Sequence, residues 1–242
     1  MKTVFSVVDW CGWVQDKSGK GKSDSADFAD FADSPLLTSE VPDVDIIPPL
    51  LRRRLNLLGR AAASQMLRLL EDNTNIPVVY CSRHGDIERT LSVLQELAAG
   101  ESVSPAYFSL SVHNAVPGLI SIQQGITANI SSIAAGDEPL VPCLLEAAGI
   151  LSPQQPLVLC LFADVRLPEI YHRAHHVPQS AYACGFVLGL KGGQRLSLTM
   201  TENSTPLNNS QPIALEFIHF LNGSTSTLNV RHNGSPWALC KL

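Results

Sequence analysis

Residues 108–151 read FSLSVHNAVPGLISIQQGITANISSIAAGDEPLVPCLLEAAGIL, and this stretch decides the fold. Its spacing predicts an apolar helix, a short strand, a tight turn at Ala135, Gly136 and Asp137, and a second helix. That order sets a helix N-terminus at the end of a buried strand. Such an end has unpaired N–H groups and a positive dipole, and an α/β protein often places a nucleophile or an anion there. The turn carries no nucleophile, so the frame of a reactive site is present without its reacting group.

Towards the C-terminus, residues 156–163 (PLVLCLFA) are continuously apolar, as a strand covered on both faces must be. Residues 181–190 and 196–200 read as a strand pair that turns at Lys191, Gly192 and Gly193. A short helix over 211–221 and a strand-like end at 237–242 follow. Between these elements, His172, His175 and His176 have spacing that would suit a metal on a helix. Pro168 and Pro178 bracket them and no cysteine or carboxylate completes a set, so no metal is expected.

Towards the N-terminus, residues 76–81 form a compact apolar strand, and Ser82-Arg83-His84-Gly85-Asp86 is the loop after it. Asp86 is placed to cap the helix IERTLSVLQELAAG, which Gly100 stops. His84 lies where ligands often bind, at the carboxyl end of a strand, but reads first as a hydrogen-bonded loop histidine. Pro48-Pro49 opens a long helix, LLRRRLNLLGRAAASQMLRLLED, with Leu51, Leu55, Leu58, Ala62, Met66 and Leu69 on its buried face. Arg52, Arg53 and Arg54 cluster at its start. They read either as a solvated face with local salt bridges or as a contact for an acidic partner. Residues 17–34 are a polar loop, and its GKGKS lacks the first glycine of a phosphate loop, since Asp16 stands there. Residues 3–10 are strand-like.

Helices and strands alternate through most of the chain, which predicts an α/β fold with a mixed, mostly parallel sheet covered by helices. No repeat or linker divides residues 1–242, so one domain is expected. At 45% hydrophobic and 16% charged, the 242 residues can bury a sizeable core. A net charge of −5 argues against nucleic-acid binding. Six cysteines without CxxC pairs suit reduced thiols in a cytoplasmic protein. No run approaches the ~18 apolar residues of a membrane span, and residues 1–10 do not form a signal peptide.

The central stretch resembles the amino-terminal half of a β-ketoacyl synthase, which has the thiolase fold. Asn114-Ala-Val-Pro-Gly118 is similar to that family's interface helix, and residues 130–135 to the strand that leads to its reactive cysteine. Residues 47–54, SRHGD (82–86) and SPAYFSLSVHNA (104–115) resemble a short subgroup, the chain length factors of aryl polyene gene clusters, over most of residues 1–190. On this resemblance the cysteine position falls at Gly136 or Asp137. Cys143 lies more than a turn inside the helix, away from the positive end that would lower its pKa. Asp137 is read as a helix N-cap whose carboxylate would repel an oxyanion. His219 and His232 match no motif of the family's catalytic histidines.

The resemblance therefore implies a non-catalytic subunit without a cofactor, paired with a catalytic β-ketoacyl synthase as an obligate heterodimer. Ser111, His113, Asn114, Val116, Pro117 and Gly118 are the residues it places at the shared interface and acyl tunnel. Residues 200–242, where the resemblance fades, are expected to cap the space of the missing half. Two other readings stay open: an acyl transferase or thioesterase of its own, using a serine or Cys81 with His84, His113 or His172, and a module docking an acyl carrier protein through Arg52, Arg53 and Arg54.

Overall fold

A computed structural model describes residues 1–16, 36–70, 75–171, 180–202 and 211–242. The predicted loop at 17–34 and the histidines at 172, 175 and 176 lie outside the described residues. In chain order the elements are β1 (Lys2–Gln15), β2 (Leu36–Ser39), α1 (Pro49–Arg52), α2 (Leu57–Leu69), β3 (Val78–Cys81), α3 (Ile87–Ala98), α4 (Pro105–Ser109) and α5 (Ala115–Gln124). Then come β4 (Ile130–Ile133), α6 (Leu140–Ile150), β5 (Leu157–Asp164), β6 (Tyr182–Gly189), β7 (Gln194–Met200), α7 (Ile213–Asn222), β8 (Thr227–His232) and β9 (Ser235–Lys241).

The strands form one sheet in the order β4-β3-β5-β6-β1-β7-β9-β8, with β2 beside the second half of β1. Side chains alternate across it and build two cores. On one face, Val79, Cys81, Cys160, Phe162 and Phe186 pack under α6 and α7. On the other, Trp13, Val78, Tyr80, Leu159 and Leu161 pack with α2 and α5. β5 and β6 are buried along almost their whole length, as the unbroken apolar run of β5 requires.

The sheet is mixed and helix-covered, as expected, but mostly antiparallel. β3 runs parallel to β4 and β5, and β1 to β2, whereas β1–β6, β1–β7, β5–β6, β7–β9 and β8–β9 are antiparallel. Parallel neighbours need a long crossover, usually helical. Helices supply it from β3 to β4 and from β4 to β5, and no α-helix of the described residues lies between β5 and β6.

The expected hairpin of 181–190 with 196–200 does not form either. β1 lies between β6 and β7 and pairs with both. The connection crosses β1 at Val7, next to a bulge between Val7 and Asp9. A Cβ on Gly193 (φ +56) would stand 1.9 Å from the Val7 carbonyl oxygen, so only glycine fits this crossing.

Two helices predicted as single are divided. Asn56 ends the first run and caps α2, its side-chain oxygen accepting from Gly59 N at 3.2 Å. An N-cap needs non-helical backbone, so α1 stops before it. The predicted apolar face holds nonetheless: Leu51, Leu55, Leu58, Ala62 and Met66 are buried, while Leu69 is half-buried. The central stretch likewise contains α4 and α5, separated by residues 110–114.

β4 is the sheet's edge strand and is half-exposed, not buried. Among the described residues it finds one neighbour, β3, and its two central residues are serines that need no cover. Gly136 turns at φ +61, as the tight turn requires. Pro139, not Asp137, occupies the N-cap of α6. Among the described residues no helix is long and apolar enough to cross a membrane.

Candidate functional site

The loop 82–86 follows β3 and ties five parts of the chain together. At its start, Ser82 Oγ donates to Asp164 Oδ1 at 2.9 Å, and Arg83 N donates to the same oxygen at 2.8 Å. Tyr182 OH donates to Asp164 Oδ2 at 3.1 Å. Asp164 ends β5, and burial pushes its carboxyl up to about 6, against the opposing pull of these donors. The Ser82 carbonyl accepts from His113 Nε2 at 2.8 Å, which makes that nitrogen the protonated one. The His113 ring lies 5.8 Å from that of Tyr80.

The far end of the loop reaches α2, α3 and α4. Asp86 caps α3 as predicted, accepting from Arg89 N at 3.1 Å, and also accepts from Asn56 Nδ2 at 2.9 Å. Arg89 pairs with Asp86 at 3.3 Å and sits over the Tyr107 ring, 5.2 Å from its centre. The Arg83 guanidinium pairs with Asp137 at 2.5 Å. The carboxylate expected to cap α6 is therefore taken by a cation from the neighbouring loop.

At this loop the Ser82 hydroxyl and the His113 ring do not bond each other. His113 bonds the carbonyl of Ser82, whose hydroxyl is buried and committed to Asp164 while accepting from Gly85 N at 2.9 Å. Cys81 is buried. Cys143 is core, as predicted, and burial beside Cys160 and Cys81 raises its thiol well above the ordinary range. His84 is half-buried in the loop. His219 lies on α7 and His232 on β8, and the Asn233 side chain meets the His232 ring at 3.2 Å.

The predicted interface residues divide. His113 and Asn114 line an open groove of about 430 Å³ with Ile130, Ser132 and Ala134, along the β4 edge. Ser111 and Gly118 are half-buried, whereas Val116 and Pro117 are buried residues of α5 itself. Exposed apolar side chains occur on the elements that precede and follow His113 and Asn114 in the chain: Leu94 and Leu97 on α3, Phe108 on α4, then Val112 and Ile122, the last 81% exposed. A cavity of about 580 Å³ lies elsewhere, between α3 and the residues after β5, and mixes Glu88, Gln95, Arg166 and Glu169 with Leu57 and Leu91.

Arg53 and Arg54 are exposed and Arg52 is half-buried. Among the described residues none of the three forms an ion pair. Arg60 joins them, its Nε donating to the Arg52 carbonyl at 3.4 Å, and α1 packs against α5.

Asp164, Tyr182 and Tyr80 were not among the predicted site residues. The signal for Asp164 was present: a carboxylate at the end of the otherwise apolar run PLVLCLFAD. Among the described residues no cluster of three His, Cys, Asp or Glu side chains could hold a metal.

A sequence model described as beta-ketoacyl synthase, N-terminal domain, matches residues 29–238, well past the expected limit near 190. The chain is similar to one in the structure of a ketosynthase (ApeO) in complex with its chain length factor (ApeC) from Xenorhabdus doucetiae. Identity is 25% and the TM-score 0.78, over 98% of this chain and 99% of that one. It is also similar in fold to a chain of AntDE:AntF, a type II acyl-carrier protein in complex with its ketosynthase bound to the hexaketide. There identity is 12% and the TM-score 0.57, over 83% of this chain and 87% of that one. No curated protein matches.

Proposed function

Because the chain belongs to the β-ketoacyl synthase N-terminal domain family, we propose that it is a chain length factor of aryl polyene biosynthesis. In this reading it pairs with a catalytic β-ketoacyl synthase, stabilises it and bounds its acyl tunnel, without catalysing condensation itself. The observation that carries the proposal is the end-to-end likeness to a chain of a ketosynthase–chain length factor complex.

The local chemistry supports it. The turn after β4 holds Gly136 and Asp137, and in this reading the Arg83–Asp137 ion pair stands where a condensing enzyme needs a thiolate. The groove at His113 and Asn114 runs along β4, and Phe108, Val112 and Ile122, all exposed, belong to the same segment of chain as those two residues. Apolar side chains so grouped mark a protein interface. In this reading Ser111, His113, Asn114 and Gly118 meet the synthase, and Val116 and Pro117, on the buried side of α5, hold that helix in place. Arg52, Arg53 and Arg54, which form no ion pair among the described residues, offer a positive surface to an acidic acyl carrier protein.

The test is elongation by the cognate ketosynthase with and without this chain. The proposal expects full-length polyene only when both are present, and product lengths that change when the groove is altered. Charge reversal at Arg53 and Arg54 should weaken carrier-protein binding in a salt-dependent way and leave the heterodimer intact. Identical products with and without the chain would overturn the assignment.

A further inference from the structure

We propose that Asp164 is a positioning residue: from inside the sheet it holds loop 82–86 and, through Ser82, the ring of His113 at the partner-facing groove. The inference rests on the reading of that groove as part of the ketosynthase-docking face.

Asp164 is itself far from that face in the chain's order, 82 residues from Ser82, yet one of its carboxylate oxygens acts on the loop while the other accepts from Tyr182 of β6. Its Oδ1 takes the Ser82 hydroxyl and the Arg83 amide together, which fixes the first two residues of the loop. Ser82 passes the constraint on in two directions. Its oxygen accepts from Gly85 N, which closes the loop with Gly85 at φ +59. Its carbonyl takes the His113 Nε2–H. Gly85 completes the clamp, because a Cβ there would stand 3.2 Å from both Cα and Cδ2 of His113. The ring is thus gripped by a carbonyl on one side and a bare glycine on the other. His113 and its neighbour Asn114 are two of the groove's lining residues.

The Arg83 guanidinium extends the same control to the other end of the groove. With its backbone bound to Asp164, its side chain reaches Asp137 in the turn that follows β4. Ser132 and Ala134 of that segment form the groove's opposite wall. One buried carboxylate thereby sets both walls. The arrangement explains why a carboxyl group is kept in a site that penalises its charge.

The test compares the full-length wild type with D164A, S82A and D164N, reading amide hydrogen exchange and affinity for the cognate ketosynthase. D164A removes the acceptor. S82A removes the relay alone and serves if D164A does not fold. D164N keeps an acceptor at Oδ1 for Ser82 and Arg83, so it is the conservative rescue.

In D164A and S82A, exchange should accelerate in residues 82–86 and around 113 while β5 and β6 keep their protection, and ketosynthase affinity should fall about tenfold. D164N should stay within about twofold of wild type in both readouts. Unchanged local exchange and affinity in D164A and S82A would overturn the inference. So would a uniform rise in exchange over the whole chain, which marks a merely structural residue. Failure of the docking reading looks different: the wild-type chain then ignores the ketosynthase, and exchange alone decides whether Asp164 holds the loop.

Discussion

α6 and α5 begin from similar material and end differently. LVPCLLEAAGI and AVPGLISIQQ are both apolar segments that flank β4 in sequence. α6 buries Leu140, Val141, Cys143, Leu144 and Ala147 against the sheet. α5 buries Val116, Pro117, Leu119 and Ile120, but leaves Ile122 in solvent, with Phe108 and Val112 before it. α6 packs directly on the sheet at β3 and β5, whereas α5 packs on α2 and α1. An apolar helix can therefore be half of a core whose other half is another molecule, and composition alone does not separate the two cases.

Charging each helix is the strongest way to break this comparison. L144D puts a carboxylate into the closed core, and the chain should lose more than about 4 kcal/mol, read as loss of the cooperative melt. F108D and I122R place charge on the exposed side. They should leave the melting temperature unchanged and weaken the ketosynthase complex about 100-fold, measured by calorimetry. Equal losses of stability at both sites would mean that α4 and α5 are covered within the chain itself.

A second contrast separates Asp164 from Asp137, the two acidic partners of Arg83, and the pH dependence of stability sharpens it. Burial raises the folded Asp164 carboxyl to about 6 from its ordinary 3.8. Its favourable contribution is fully present below the unfolded value and is lost as pH rises through about 6. Wild type should gain stability relative to D164N as pH falls from 7 towards 4, in parallel melting curves. A constant difference across that range would contradict a raised Asp164. Asp137 should matter least: its side chain is 57% exposed, so D137A should cost only a few tenths of a kcal/mol in chemical denaturation.

What could be read from residues was local. The Asp86 cap, the almost wholly buried β5, the interior place of Cys143 and the glycine turn at 136 follow from near neighbours and from period. The long-range facts did not. The β6–β7 connection has every mark of a hairpin, and only the length of β1 lets a third strand lie between its arms. ISSI reads as a strand, but nothing within it says that it has one neighbour instead of two. The site suffers the same limit. SRHGD was visible as a motif, yet its meaning lies in Asp164, Asn56, His113 and Asp137, which meet it only through the fold.

Co-expression with the ketosynthase from the same gene cluster, followed by size-exclusion chromatography with mass detection, tests the central claim most directly. The account predicts a stable one-to-one complex, and a chain that self-associates through the α4–α5 face when expressed alone. A well-behaved monomer that elutes apart from the ketosynthase would contradict it.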